Sequence, residues 1–260
     1  MCAQYLRKGA KSQIGNYCPV SLTSQICKLY ETVIRDAIVL HLESNGLLSH
    51  SQHGFRKGGS CVSNFLEFLD YVTKNLDNHN SVDVIYLDFA KAFDKVPHCR
   101  LLEKINKHGI SGKVWNWLRE WLHERKQRVC INGHFSSWTE SVTSGVPQGS
   151  VLGSVLFLIY INDIDSNLLC AISKFADDTK LLNTVNCNKD RDQLQSDLQC
   201  LVEWSTKWQM PFNDKKCSVM HLGGNNQKFD YFMGSHKLEA DLGVWIVKVL
   251  DAHQYYRYLI

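Results

Sequence analysis

Apolar residues recur at a spacing of three or four positions in several stretches of this 260-residue chain. Leu22, Ile26, Leu29 and Val33 form the first such series, and Gly46 follows it as a stop signal. Residues with this spacing share one face of a helix, so each stretch predicts an amphipathic or buried helix. The predicted helices cover residues from 22 up to Gly46, 62–76, 101–127 with a break at the sequence GISG, 151–164, and 190–208.

Five other stretches have the character of β-strands. Val82 to Phe89 is apolar on both faces apart from Asp83 and Asp88, which predicts a central buried strand. A hairpin is predicted between Arg128 and Val142, with its turn near the Asn-Gly pair at 132–133. Strands are also predicted at 171–175, 179–182 and 216–222. Because helices and strands do not alternate regularly, the fold class predicted is α+β.

The charge of the chain is concentrated in one region. The chain has a net charge of +3, whereas residues 98–128 contain eight Lys and Arg residues against three Glu residues, a local charge of +5. Trp115, Trp117 and Trp121 lie among these charges. Such a segment is suited to nucleic acid. A solvated helix face whose apolar side packs in the core explains the same pattern, and both interpretations stay open.

Cysteine spacing and hydropathy exclude several classes of protein. The chain has ten Cys residues but no CxxC pair, so a zinc knuckle is not predicted. A core-rich chain without a signal peptide predicts free thiols in a reducing, intracellular compartment. No apolar run reaches about 18 residues, so neither a membrane-spanning helix nor a membrane partner is predicted.

Three aspartates stand in apolar surroundings. Asp88 lies one residue before the end of a predicted strand, and Asp177 with Asp178 interrupts an apolar stretch between two short strands. An unpaired buried carboxylate is costly, and divalent cations with hard oxygen ligands, such as Mg²⁺, would neutralise the three groups. Two ions about 4 Å apart would support phosphoryl transfer. The alternative is an exposed hairpin tip, because Asp is common in turns.

Seven segments, in order along nearly the whole chain, resemble the motifs of reverse transcriptases from non-LTR (LINE-type) retrotransposons, jockey-like elements in particular. One four-residue match is weak, whereas seven in order form a specific pattern. The segments are NYCPVSL (16–22), QHGFRKG (52–58), YLDFAKAFDKVPH (86–98), SGVPQGSVLG (144–153), FADD (175–178), FNDKKCSVMHLG (212–223) and DLGVWI (241–246).

The resemblance implies a catalytic centre for nucleotidyl transfer from a dNTP to a primer 3′-hydroxyl. Asp88, Asp177 and Asp178 would bind two Mg²⁺ ions, with Mn²⁺ as a substitute, and Phe89 would offer its backbone carbonyl to one metal. Lys216 would protonate the departing pyrophosphate. The alternative for Lys216 is a charge that flanks an edge strand.

The resemblance also implies residues that bind the nucleotide. Phe93 would fill the space that a ribose 2′-hydroxyl needs, and Gln148 would contact the incoming nucleotide. Gly149 would let the backbone approach closely. Arg56 would hold the triphosphate, with Lys57 as a weaker candidate. The alternatives are an ordinary core aromatic for Phe93 and solvated loop charges for Arg56 and Lys57.

The implied architecture is a right-hand polymerase with a ferredoxin-like antiparallel palm sheet. Residues 1–80 would form the fingers and the start of the palm, 81–225 the palm with an insert at about 98–145, and 226–260 a primer-grip hairpin and the start of the thumb. We expect truncation at both ends, with an incomplete thumb. The implied partners are an RNA template, a DNA primer and dNTPs, and the implied location is the nucleus.

Two other functions are compatible with parts of the pattern. A metal-dependent nuclease or phosphatase would use the same carboxylates, but it needs neither Phe93, the Pro-Gln-Gly turn nor the Lys216 segment. A non-catalytic retroelement remnant that folds and at most binds nucleic acid would share every motif. Cys18, which stands where the family usually has Arg, favours this second alternative.

Overall fold

The computed structural model describes residues 2–6, 10, 17–131, 133–139 and 141–241, with the backbone alone for 2–6 and 17–19. Most of the primer-grip segment therefore lies outside the described residues, as does the side chain of Cys18. The chain divides into two compact units, and each contains two separate stretches of sequence. The first unit comprises residues 1–48 and 93–160, and the second comprises 49–92 and 161–260.

The first unit combines helices with a four-stranded sheet. Its strands are β1 (Cys2–Leu6), β2 (Tyr17–Ser21), β4 (Val129–Ile131) and β5 (His134–Phe135). The sheet has the order β2-β1-β4-β5, in which β1 and β4 are parallel and the other pairs antiparallel. The helices are α1 (Gln25–Ser44), α3 (Ala92–Lys95) at the unit boundary, α4 (His98–Lys107), α5 (Gly112–Leu122) and α6 (Gly153–Ile161). The predicted hairpin and the break at GISG are confirmed.

Helix α1 shows how the sequence sets the ends of an element but not its buried face. The Ser24 side chain caps the helix by accepting a hydrogen bond from the Cys27 amide at 3.1 Å. Gly46 follows with a positive φ of 60°, which suits glycine. The apolar positions Ile26, Leu29 and Val33 are about 70% exposed, whereas the opposite face is buried. The helix is confirmed, but its apolar series does not face the core of the described residues.

The second unit is built around a five-stranded sheet. Its strands are β3 (Val82–Leu87), β6 (Ala171–Phe175), β7 (Asp178–Thr184), β8 (Ser218–Leu222) and β11 (Glu239–Ala240). The strand order is β11-β8-β3-β7-β6, and neighbouring strands are antiparallel, except that β11 runs parallel to β8. The unit also contains helices α2 (Cys61–Asp77) and α7 (Asn188–Trp208) and the short hairpin β9 (Phe232–Met233) and β10 (His236–Lys237).

Strand β3 is central and buried, as its apolar sequence predicts. Val82 and Val84 are fully buried and pack with Phe68 and Val72 of α2. Each such side chain contributes about 1.5–3 kcal/mol through its removal from water. Strand β3 has β7 on one side and β8 on the other. The predicted α+β class is confirmed, and no helix among the described residues is long and apolar enough to cross a bilayer.

Candidate active site

The register of β3 and β7 brings the aspartates to one end of the sheet. Leu87, the last residue of β3, pairs with Thr179 of the antiparallel strand β7. Asp88 follows Leu87 and Asp178 precedes Thr179, so the same register places these two aspartates at facing positions of neighbouring strands. Asp177 lies one residue further, in the turn between β6 and β7. The three acidic residues therefore belong to one corner of the second unit.

A tight turn presents Asp177 and Asp178. Phe175 pairs with Asp178, so Ala176 and Asp177 are the two central residues of a β-hairpin. Ala176 has a φ of +53° and is completely buried. A non-glycine residue at positive φ costs of the order of 1–3 kcal/mol and persists only when its surroundings hold it there. The turn that carries the acidic pair is thus strained and enclosed.

The carboxylates influence one another electrostatically. Loss of hydration, followed by the charges of Asp177 and Asp88, raises the pKa of Asp178 to about 7, and Lys180 and Lys216 act in the opposite direction. Asp178 keeps an exposed surface, so solvent offsets part of the loss of hydration, and repulsion from the carboxylates of Asp177 and Asp88 remains a main cause of the raised pKa. A cation at this corner would relieve that repulsion.

The side chain of Lys216 forms an ion pair with the carboxylate of Asp88. Its Nζ lies 2.9 Å from Oδ2 and 3.2 Å from Oδ1 of Asp88. The backbone supports this arrangement, because the Asn213 amide donates to the Asp88 carbonyl oxygen at 2.7 Å, and the Lys216 amide donates to the Asn213 carbonyl at 2.8 Å. The structure therefore unites the first predicted metal ligand with the predicted proton donor.

The donor chemistry of this corner fits a divalent cation, although its present arrangement is not a ready-made site. Three carboxylates are the hard oxygen ligands that Mg²⁺ prefers. Within the ranges that the structure describes, no three His, Cys, Asp or Glu side chains are grouped so that they could hold one ion. Because Lys216 already contacts both carboxylate oxygens of Asp88, a cation that binds Asp88 must compete with Lys216.

Phe89 continues the chain from Asp88 into the core of the second unit. Its ring is 3% exposed and stacks on Phe212 with the ring centroids 4.5 Å apart. Trp204 of α7 contacts the same ring at 6.3 Å between centroids. This packing holds the backbone at residues 88–89, which is where the sequence predicts a carbonyl ligand.

Arg56 and Lys57 lie on the loop that precedes α2. Arg56 Nη1 donates a hydrogen bond to the Ser49 carbonyl oxygen at 2.8 Å, so part of its guanidinium is used to hold the loop. Lys57 is exposed. Both residues belong to the second unit, together with the aspartates and Lys216.

The first unit holds the other predicted nucleotide-binding residues. Phe93 is buried and stacks on Phe157 of α6 at 4.5 Å between ring centroids. Its carbonyl oxygen accepts a hydrogen bond from the Val146 amide at 2.8 Å, which joins this segment to the one that carries Gln148 and Gly149. The structure thus brings two sequence motifs together within this unit.

Gly149 is required by a close approach between backbone segments. The Ser21 amide donates to the Gln148 carbonyl oxygen at 2.6 Å. Gly149 has a φ of +99°, and a Cβ there would lie 2.8 Å from the Ser21 carbonyl oxygen. The close approach predicted at this glycine is present, and the neighbouring backbone is that of β2.

Glu31 is a buried anchor that the sequence interpretation missed. This residue of α1 is fully buried, and its Oε2 accepts a hydrogen bond from the Val151 amide at 2.7 Å. Its Oε1 accepts hydrogen bonds from Trp121 Nε1 at 3.1 Å and from Cys27 Sγ at 3.2 Å. The only sequence signal was an acidic residue within an apolar series, since Trp121 and Val151 are distant from Glu31 in sequence.

Lys180 is a second residue without a predicted role. It lies two positions after Asp178 on β7, and its Nζ donates to Asn64 Oδ1 at 2.6 Å. Burial lowers the pKa of Lys180 to about 8, against the opposing influence of Asp178, Cys61 and Glu67. A buried cation so close to the acidic corner partly balances its negative charge.

The structure modifies the prediction for the basic segment 98–128. Lys104 is buried and donates a hydrogen bond to the Tyr160 carbonyl oxygen, so it cannot face a nucleic acid. Arg119 and Arg125 lie over the rings of Trp115 and Trp121, at 5.5 and 4.6 Å from the ring centroids. The guanidinium groups of these two arginines therefore pack on tryptophan rings. Fewer than the eight basic residues of this segment are then exposed to solvent.

Comparison with known proteins shows which family and which relatives this chain resembles. Residues 7–254 match the family described as reverse transcriptase (RNA-dependent DNA polymerase). The probable RNA-directed DNA polymerase from transposon X-element of Drosophila melanogaster is 31% identical over 208 residues, which cover 77% of this chain and 23% of that protein. The RNA-directed DNA polymerase from mobile element jockey of Drosophila funebris is 28% identical, with 79% of this chain and 23% of that protein covered.

Solved structures show the same fold at low sequence identity. Apo telomerase from Candida tropicalis, truncated from its C-terminal domain, gives a TM-score of 0.58 at 12% identity over 86% of this chain and 51% of that chain. Another apo telomerase structure from this organism gives a TM-score of 0.57 at 11% identity, with 86% and 47% covered. The chain spans about a quarter of the length of the curated relatives described above.

Proposed function

Because this chain belongs to the reverse transcriptase (RNA-dependent DNA polymerase) family, we propose that it extends a DNA primer on an RNA template. The observation that carries the proposal is the register between β3 and β7, which places Asp88 and Asp178 at facing positions beside Asp177. The partners would be an RNA template, a DNA primer and dNTPs. The relatives from X-element and jockey are named for RNA-directed DNA polymerase activity.

Divalent cations are part of the proposal. Asp88, Asp177, Asp178 and the backbone carbonyl of Phe89 would hold two Mg²⁺ ions, and Mn²⁺ would replace them. Bound there, the ions would activate the primer 3′-hydroxyl and neutralise charge on the phosphates. The raised pKa of Asp178 supports this assignment, because it reflects negative charges that the protein leaves partly uncompensated.

Other side chains of the two units would bind substrate or move a proton. Lys216 would leave Asp88 when a cation binds and would protonate the departing pyrophosphate through Nζ. Arg56 would bind the triphosphate, with Lys57 as the weaker candidate. Gln148 would contact the incoming nucleotide.

Phe93 would select deoxynucleotides. A buried ring cannot move aside without losing its packing, so it would exclude a ribose 2′-hydroxyl by a steric clash. Its stacking on Phe157 is the feature that would keep the ring in place.

Primer extension tests the proposed function. The full chain would be given an RNA template, a labelled DNA primer, dNTPs and Mg²⁺, beside the variants Asp177→Asn and Asp192→Asn. Both variants remove one negative charge, but Asp192 lies on α7 and pairs with Arg191. Extension that is lost in Asp177→Asn and kept in Asp192→Asn is the expected result.

Two outcomes would contradict the proposal. Equal extension by the wild type and Asp177→Asn would show that the acidic corner is not the catalytic centre. Folded wild-type protein that binds an RNA–DNA hybrid without extending it would favour the alternative of a non-catalytic remnant.

A further inference from the structure

The side chain of Gln52 holds the backbone of the turn that carries the acidic pair. Gln52 is 4% exposed. Its Oε1 accepts a hydrogen bond from the Ala176 amide at 2.9 Å, and its Nε2 donates to the Ala176 carbonyl oxygen at 3.4 Å. The side-chain amide of Gln52 therefore forms hydrogen bonds with both the backbone N–H and the backbone C=O of Ala176.

The same amide also holds its own loop. Gln52 Oε1 accepts a second hydrogen bond, from the Gly54 amide, at 2.8 Å. Gly54 is buried, and a Cβ added to it would overlap the Ala176 nitrogen. The absence of a side chain at Gly54 therefore lets the loop pack directly against the turn.

Backbone hydrogen bonds fix Gln52 along the edge of the sheet. The Lys174 amide donates to the Ser51 carbonyl oxygen at 2.8 Å, and the His53 amide donates to the Lys174 carbonyl oxygen at 2.9 Å. These two bonds form a parallel bridge between Gln52 and Lys174, at the end of β6. Gln52 is thus positioned by the strand that leads into the turn.

Ala176 needs such support because of its conformation. Its positive φ of 53° is unfavourable for alanine, so an unsupported turn would relax towards other backbone conformations. Asp177 is the next residue, and any rotation of the peptide at 176 would move its carboxylate. Sub-ångström control of this kind matters, because a misplacement of about 1 Å can lower a rate of reaction about 100-fold.

We infer that Gln52 is a positioning residue for Asp177 and Asp178, acting through the backbone of Ala176. The inference rests on the proposed function, and it goes beyond it by assigning a role to a residue that is not itself a metal ligand or a nucleotide contact. A neutral amide suits this role, since it supplies both an acceptor and a donor without adding charge beside three carboxylates.

The test uses four variants of the full chain. Gln52→Met keeps the volume and removes all three hydrogen bonds, whereas Gln52→Glu keeps the acceptor for the Ala176 and Gly54 amides. Gly54→Ala introduces the steric overlap. Asn186→Ala is the control, because Asn186 also holds backbone by accepting from the Ser81 amide at 3.0 Å, at the far end of β3 and β7.

Two measurements are made on each variant: amide hydrogen exchange in the 175–178 turn, and kcat and KM for dNTP in primer extension. We expect faster exchange of the Ala176 amide in Gln52→Met and in Gly54→Ala, with slow exchange kept in Gln52→Glu and Asn186→Ala. We also expect kcat to fall about 10- to 100-fold in Gln52→Met while KM stays close to the wild-type value.

The outcomes separate this inference from the proposed function. Slow exchange of the Ala176 amide in Gln52→Met would overturn the supporting contact itself. Fast exchange with an unchanged kcat would show that the contact is only structural. If the wild type does not extend primers, the proposed function fails, and the exchange data still decide whether Gln52 holds the turn.

Discussion

Lys216 is the residue whose partner is most informative about the acidic corner. It contacts both oxygens of Asp88, and this pair is partly exposed, with 51% of the Lys216 side chain and 32% of the Asp88 side chain accessible. Solvent screens such a pair, so its attraction is modest. The pair is nevertheless placed where a cation would have to bind.

Replacement of Lys216 by Met should therefore strengthen cation binding in the absence of nucleotide. We expect Mn²⁺ affinity, measured by electron paramagnetic resonance, to rise about 1.5- to 5-fold, as the loss of one exposed ion pair predicts. Primer extension should slow about 100-fold or more, because the proton donor is lost. The exposed neighbour Lys215, changed to Met, is the control. Unchanged Mn²⁺ affinity in Lys216→Met would show that the pair does not compete with a cation.

His98 makes stability depend on pH. Burial lowers the pKa of His98, and the nearby charge of Arg125 lowers it too, while its hydrogen bond to the Gly145 carbonyl oxygen, at 2.8 Å, acts in the opposite direction. The folded state therefore binds a proton at His98 less readily than the unfolded state. Its contribution to stability is complete above the ordinary pKa of 6.5 and is lost as the pH falls below that value.

Chemical unfolding between pH 8 and pH 5 measures this effect. As the pH is lowered, we expect the free energy of unfolding to decrease more steeply in the wild type than in His98→Gln. The difference in slope cannot exceed about 1.4 kcal/mol per pH unit, the limit for one proton. Parallel curves for the two proteins would refute the assignment.

At the scale of elements, α1 and α6 are joined by one buried carboxylate. Glu31 of α1 accepts from the Val151 and Leu152 amides, at 2.7 and 3.4 Å, just before α6 begins at Gly153. Amides at the start of a helix have no partner within the helix, and a negative charge there is favourable. Glu31 therefore fixes the segment that follows the Pro-Gln-Gly turn.

Removal of this carboxylate should destabilise the protein strongly. We expect Glu31→Ala to lower the free energy of unfolding by about 2–4 kcal/mol, because buried donors lose a charged acceptor. Glu43→Ala on the same helix, at an exposed position, should change it by less than about 0.5 kcal/mol. Urea unfolding compares the two variants, and similar losses in both would exclude an anchoring role for Glu31.

At the scale of the whole molecule, the exposed cations of segment 98–128 should make hybrid binding sensitive to salt. Lys113 and Lys126 are exposed, unlike the buried Lys104. Each phosphate contact steepens the dependence of affinity on salt concentration by about 0.9 on a double-logarithmic plot. The double variant Lys113→Gln/Lys126→Gln should therefore reduce the slope by up to about 2, in a fluorescence-anisotropy titration with an RNA–DNA hybrid.

A double variant with the same change of charge is the control for this prediction. Lys74→Gln/Lys189→Gln removes two exposed cations from α2 and α7. Its slope should remain that of the wild type if binding uses segment 98–128. Equal reductions in both double variants would indicate that overall charge, and not this segment, sets the affinity.

The resemblance of the seven motifs to reverse transcriptases of non-LTR, jockey-like retrotransposons is confirmed by the family match and by the relatives from X-element and jockey. The α+β polymerase fold is confirmed by the architecture and by the similarity to telomerase structures. The division into fingers, palm and primer grip remains a prediction, as do the roles of the individual site residues and the nuclear location.

The sequence by itself predicted the helices α1, α2 and α4 to α7, the strands β3 to β8 and the spacing of the acidic residues, because periodicity and turn signals record local backbone preferences. It did not predict β1, β2 or the short helix α3. Only the tertiary structure decided that Asp88 faces Asp178, that Lys216 pairs with Asp88, and that Gln52 holds Ala176. It also decided that one face of α1 is exposed and that Glu31 is buried. These features depend on strand register and on hydrogen bonds between residues that are about 90 or more positions apart, which no local pattern encodes.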